Sequence, residues 1–298
     1  MKIITPRAIT ADMLVGCNVP ENDYAAWSSS TTYLVGQRCI SGHKIYECLI
    51  EHVNADPAAN SAGDAPKWID LGATNRWRMF DNINGSATTN ATSIAVALTP
   101  GMVDSIALLG VSAASVSISM TDAVDGTVYS STDSLVVDDD VADWYAYFFA
   151  DITSKDSVVL TDMPPYANPT VYITVTAGEG ETASVGTLIL GKSKYLGETQ
   201  YSPEIGIVDY SKKTTDDFGN YTVLQRAFSR RFSCDLRVSN TAIRELYSIL
   251  AAFRATPVVW IGVDASPLLT VYGFYKTFRI VVPYPTQSIC TIEIEGLT

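Results

Sequence analysis

The chain has 298 residues, a length that predicts two or three domains. Hydrophobic residues make up 47% and charged residues 17%, which supplies real cores and argues against global disorder. A net charge of -12 repels a phosphate backbone, and two histidines, His43 and His52, leave metal hydrolases and Ser-His-Asp catalysis little to work with.

Residues 1–20 read as a short lead. They hold no long apolar run of the secretory type, and no segment approaches the roughly 18 apolar residues of a membrane helix. One helical turn is expected at 10–14, with Thr10 as its cap.

Residues 21–75 are polar and turn-rich, and end in a Gly/Ala/Asn/Pro loop at 54–66 ahead of Trp68. Trp27, Tyr33, Tyr46 and Trp68 lie in this short segment. Flat aromatic faces stack on the apolar face of a pyranose, so these four are candidate carbohydrate-binding residues. A module of about fifty residues also needs large aromatics simply to build a core. Both readings stand, with the core role preferred for Trp27 and Trp68. The five cysteines, Cys17, Cys39, Cys48, Cys234 and Cys290, include no C-x-x-C pair. They predict buried thiols rather than zinc, with a Cys39–Cys48 disulfide as the open alternative.

Residues 76–200 alternate apolar with polar. Ile94, Val96 and Leu98, then Val116, Ile118 and Met120, then Val171, Ile173 and Val175 each follow the period of two of a half-buried strand. Turn residues fall between the runs, at Pro100-Gly101, Asp125-Gly126, Pro164-Pro165 and Glu179-Gly180. Many short strands with regular turns predict a β-sandwich or jelly roll. The segment 186–193 fits the phosphate-loop pattern G-x-x-x-x-G-K-S. That loop must follow a strand and open a helix. Here the intervening residues themselves read as a strand, with Lys192 and Ser193 in a turn at its end. Asp138, Asp139, Asp140 and Asp143, or Asp122 with Asp125, carry the oxygen ligands calcium takes, but adjacent aspartates in a loop more often face water. No metal site is assigned.

Residues 201–298 hold one amphipathic helix, predicted over 240–255. Ile243, Leu246, Tyr247, Leu250 and Phe253 share a face, Asn240 or Thr241 caps its start, and Pro257 stops it. Strands are predicted at 228–238, 258–263, 268–274, 278–282 and 290–294, giving an α+β unit with one helix on an antiparallel sheet. Arginines gather here: Arg226, Arg230, Arg231, Arg237, Arg244 and Arg254. Arginine pairs bidentately with carboxylates. Arg226, Arg230, Arg231 and Arg254 are therefore candidate assembly residues for an acidic neighbour, with ion pairing inside the domain as the equal alternative.

Three resemblances follow from these residues. Ala26-Trp27, Tyr33, Gly36, Gly42, Tyr46, Pro57, Trp68 and Gly72 resemble the small chitin-binding modules of carbohydrate-binding families 5 and 12. Gln37, Cys39 and Cys48 depart from that pattern, and Lys67 stands where the family shows an exposed aromatic. The runs 104–110, 116–129 and 186–191 resemble jelly rolls related to galactose-binding modules. The runs 207–213, 217–219, 226–231, 254–262, 270–276 and 292–298 resemble tailed-bacteriophage baseplate or distal-tail structural proteins.

The expected fold is mainly β and multidomain: a lead at 1–20, a small module at 21–75, a sandwich at 76–200 and an α+β assembly domain at 201–298. No nucleophile elbow, H-E-x-x-H or dinucleotide fingerprint is present, so no catalytic residue and no cofactor is assigned. The resemblance implies a non-enzymatic structural component of a phage tail tip or baseplate. It implies a virion protein assembled in the host cytoplasm, a trimeric or hexameric ring, other tail proteins as partners, and host surface glycan as a further ligand. The alternative is an adsorption protein proper, binding host polysaccharide. Neither nucleic-acid binding nor membrane insertion is expected.

Overall fold

The computed structural model describes residues 1–83, 85–137, 153–215, 218–263 and 269–297. The fold is mainly β, and its frame is an eleven-stranded antiparallel sheet. From one edge the strands run Ser157–Leu160, Ser105–Ser112, Ala183–Tyr195, Lys2–Pro6, Val258–Ile261, Thr270–Val281, Gln287–Gly296, Phe228–Ser239 and Glu198–Thr199. Glu204–Asp209 also pairs with Phe228–Ser239, and Thr88–Asn90 with Ala183–Tyr195.

The sheet passes through all of the chain except the small module, and the lead joins its two parts. Lys2–Pro6 pairs with Ala183–Tyr195 on one side and Val258–Ile261 on the other. Ile3 and Ile4 are both fully buried. Successive side chains point to opposite faces, so Ile3 enters the core of the C-terminal unit and Ile4 a separate cluster with Ala107, Ile189 and Val259.

The middle segment is a two-sheet sandwich. A second sheet, ordered Gly126–Ser134, Ser115–Asp122, Thr170–Thr176, Ser93–Leu98 and Leu14–Cys17, faces the first part of the large sheet. The three alternating runs are three neighbouring strands of this second sheet, and their apolar members meet Ile106, Leu108, Leu188 and Leu190 in one core. The phosphate-loop match lies wholly inside Ala183–Tyr195. Lys192 and Ser193 therefore belong to the strand, paired with Thr5 and Ile4, and not to a turn at its end.

In the C-terminal unit the helix spans Ile243–Ala252, shorter than expected at both ends. Leu246 and Leu250 are buried against Leu236, Val238, Trp260 and Ile292, while Tyr247 is exposed. Neither expected cap acts. The N-cap is Ala242, which has no capping side chain. The Asn240 amide instead donates to Tyr284 O and Pro285 O at 3.1 and 2.8 Å, clamping the turn before Gln287–Gly296. Thr10 likewise makes no side-chain cap to the short 3-10 turn Ala11–Met13. The strands expected at 268–274 and 278–282 are one strand, Thr270–Val281, with a register shift between Tyr275 and Thr277. Among the described residues no helix is long and apolar enough to cross a membrane.

Candidate functional site

The small module is built on the hairpin Arg38–Ser41 and Lys44–Cys48, with Trp68–Ala73 as its third strand. Gly42 and His43 form a two-residue turn with φ of 56° and 66°, the left-handed pair that matches strand twist in a tight hairpin. Trp68, Tyr33 and Tyr46 are 0%, 6% and 4% exposed, and with Cys39 and Cys48 they form the module's core. Trp68 Nε1 donates to Ala55 O at 2.9 Å, and the ring meets Tyr33 and His52 edge-on at centroid distances of 5.0 and 4.8 Å. A ring with both faces covered cannot stack on a sugar. Of the two readings offered for these aromatics, Tyr33, Tyr46 and Trp68 take the packing one, the preferred one for Trp68. Trp27 is half-buried against the same cluster.

Cys39 and Cys48 are free thiols. Burial, and then the neighbouring Cys48, push the Cys39 thiol up to about 11. His52 Nδ1 lies 2.6 Å from Ile50 O. His43 Nδ1 lies 2.9 Å from Glu21, whose carboxylate also accepts from Thr74 Oγ1 at 2.9 Å. Arg76 Nε donates to Val19 O at 2.7 Å and Asn75 Nδ2 to Thr89 O at 2.8 Å. These contacts draw the module's entry and exit together at its base. Both histidines are engaged in holding the module rather than gathered toward a ligand.

The acidic candidates divide. Asp122 Oδ2 accepts from the Val124 amide at 2.9 Å, and Asp125 Oδ2 from Tyr166 OH at 3.0 Å. Among the described residues no three His, Cys, Asp or Glu side chains gather as a metal site. Asp138, Asp139, Asp140 and Asp143 lie outside the described residues.

The arginines also divide. Arg230 pairs with Asp156 at 2.7 Å, and Asp156 belongs to the middle segment of this same chain. Arg231 pairs with Glu293 on the adjacent strand at 3.3 Å. Within this chain, ion pairing thus accounts for these two. Arg226 and Arg254 are exposed at separate places, one beside a hairpin and one after the helix. The four do not form one patch.

What sequence reasoning passed over is a projecting ribbon. Glu204–Asp209 pairs with the start of Phe228–Ser239, and the Tyr210 amide donates to Ala227 O at 3.3 Å. The Arg226 amide then bonds Ser211 Oγ at 3.0 Å, and Lys212–Thr215 pairs with Tyr221–Leu224. The result is one long antiparallel ribbon. The neighbouring strand Gln287–Gly296 pairs only from Arg231 onward, so the ribbon runs beyond the sheet. None of its described residues from 201 to 228 is buried. Yet Tyr201, Ile205, Ile207, Tyr221, Val223 and Leu224 are all large and more than half exposed. The available signal was the alternation of Ile205 with Ile207 and of Tyr221 with Val223, close to the aromatic Tyr210. A face that stays wet in the single chain has the same pattern as one that is covered.

No protein-family model matches the chain, and no curated protein matches it.

Proposed function

We propose that the chain is a structural subunit of a bacteriophage tail tip or baseplate, whose work is contact with copies of itself and with other tail proteins rather than catalysis. The observation that carries this reading is the ribbon: a two-stranded extension on a large continuous sheet, with no buried side chain among its described residues and several large apolar ones exposed. Large apolar side chains exposed together on one element are a mark of an interaction site. An isolated two-stranded ribbon is marginal in water and gains stability by being covered. The resemblance of residues 207–298 to distal-tail proteins supports the same reading and implies a ring of three or six copies in the virion. The glycan reading loses support, because three of its four aromatics are core residues.

The test is localisation. Antibody against this chain, or its density in electron micrographs of purified particles, should fall at the tail tip. Particles lacking the chain would overturn the proposal.

A further inference from the structure

Where the two parts of the large sheet meet, a cleft of about 370 Å³ opens beside the cluster of Ile4, Ala107, Ile189 and Val259. Leu109 and Tyr272 pack against that cluster and also line the cleft. The middle segment contributes Asp156 and Thr187 to it, and the C-terminal unit Phe228 and Arg230. The volume falls at the small end of ligand sites, which run from about 300 to 1,000 Å³. It holds one small ring and not an extended chain.

The lining specifies what that ring carries. Thr187 is only 6% exposed, yet its hydroxyl has no hydrogen-bond partner among the described residues; the other buried serines and threonines among them each have one. A buried hydroxyl left unpaired is costly, and a ligand hydroxyl satisfies it as donor or acceptor. Arg230 and Asp156 are partly exposed, with Nη2 and Oδ2 2.7 Å apart. Each balances the other, so the pair does not call for an ionic ligand. Side by side they offer donors and acceptors, the complement of two adjacent hydroxyls. Phe228 is 52% exposed, and an aromatic face covers the apolar face of a pyranose. Burial, and then Asp81, push the Tyr272 phenol up to about 12, which keeps it a proton donor at neutral pH.

We infer that this cleft binds one pyranose ring, with Phe228 against its apolar face, the Arg230–Asp156 pair on two adjacent hydroxyls and Thr187 on a third. The site is apart from the small module, and the inference does not rest on the assembly reading. A ring of about a dozen non-hydrogen atoms, at the efficiency of ordinary ligands, gives a Kd on the order of 1 mM. A free monosaccharide and the end of a glycan present the same ring.

Saturation-transfer NMR on the full-length chain tests it. The probes are D-glucose, D-galactose and D-mannose, each free and as its methyl α-glycoside, at up to about 50 mM, well above that Kd. Between them they carry adjacent hydroxyls in both the cis and the trans arrangement. At least one should bind with a Kd of about 0.1–10 mM. Thr187→Val keeps the shape and removes the unpaired hydroxyl. It should leave thermal stability unchanged or higher and weaken binding about fivefold or more. Phe228→Ala should weaken it about tenfold. Trp27→Ala, in the module, should leave it unchanged. Where Thr187→Val unfolds, Asp156→Ala takes its place, with a loss of about tenfold or more. No binding by any of the six probes overturns the inference. So does binding that survives both cleft variants, or binding lost in Trp27→Ala. Equal binding of a glycoside and its free sugar supports the cleft with the anomeric oxygen outside it, as the end of a glycan requires. Binding of the free sugar alone supports the cleft and assigns it to a free monosaccharide. Localisation in the particle remains the separate test of the assembly reading, whichever result is obtained.

Discussion

Trp68→Ala separates a packing tryptophan from a sugar-stacking one. The ring is fully buried in a cluster of five buried side chains, and its indole N–H holds the Ala55 carbonyl. Truncating such a ring costs about 3–5 kcal/mol. Leaving the Ala55 carbonyl without its donor adds about 1–3 kcal/mol. A core this small rarely supplies more than about 3–5 kcal/mol in total, so the loss exceeds what the module has. The module should unfold locally while the large sheet persists. Hydrogen exchange read by mass spectrometry is the right assay, since a single melting temperature mixes units that unfold separately. The Gly36 amide, bonded to Cys48 O, and the Cys48 amide, bonded to Gln37 O, should lose protection. Those of Ser115–Asp122 should not. Trp68→Phe keeps most of the volume and loses the donor, so it should weaken the module by about 1–3 kcal/mol without abolishing it. Unchanged exchange in Trp68→Ala, with selective loss of glycan binding, would refute the packing argument.

Other perturbations probe the frame and its charges. A Cβ on Gly191 would run into the Thr5 backbone carbonyl across the strand pair, whereas one on Gly206 meets nothing within 4 Å. Gly191→Ala should cost about 3 kcal/mol or more in denaturant titration and Gly206→Ala little; equal effects would contradict the register. In the module, burial pulls the Asp70 carboxyl up, but the Lys44 hydrogen bond, the Gly72 amide and the Lys44 charge bring it below its ordinary value. A lowered carboxyl stabilises the fold above its unfolded pKa and loses that contribution as pH falls through the folded one. Amide protection in the module, taken relative to the intrinsic exchange rate at each pH, should therefore fall below about pH 4, and Asp70→Asn should blunt that dependence. Burial holds the Cys39, Cys234 and Cys290 thiols at about 11. Iodoacetamide at neutral pH should spare all three until the protein unfolds, as intact mass will report.

Local pattern made part of this fold legible. Ile94, Val116 and Val171 head runs whose period of two already fixes which face is buried. The helix core Leu246 and Leu250 follows from spacing alone. Its caps did not, because Asn240 serves a turn more than forty residues away. The strand Lys2–Pro6 was illegible for a similar reason. Two isoleucines among polar residues carry no sign that their partners are Ala183–Tyr195 and Val258–Ile261. For the candidate site, Trp68 and Tyr46 were visible as important, but composition cannot tell a covered ring from an open one. The ribbon was hidden by the converse: its apolar residues look like core until their exposure is seen.

The arginine cluster needs the same separation of charge from geometry. Arg230 and Asp156 tie the C-terminal unit to the middle one across a junction, but their side chains are 43% and 56% exposed. An exposed pair contributes about 0–1 kcal/mol, too little to set how two units meet. The strand Lys2–Pro6 does far more, since it is hydrogen-bonded to both units and buries Ile3 and Ile4 in separate clusters. Reversing Arg230 to Glu should therefore leave thermal stability within about 1 kcal/mol. Ile4→Asp places a carboxylate in an apolar cluster and should cost several times more. It should also raise exchange on both sides of the junction, in Ala183–Tyr195 and in Val258–Ile261 together. If Ile4→Asp loosened one unit and spared the other, the shared strand would not be what couples them, and the Arg230 pair would have to carry more than an exposed ion pair ordinarily does.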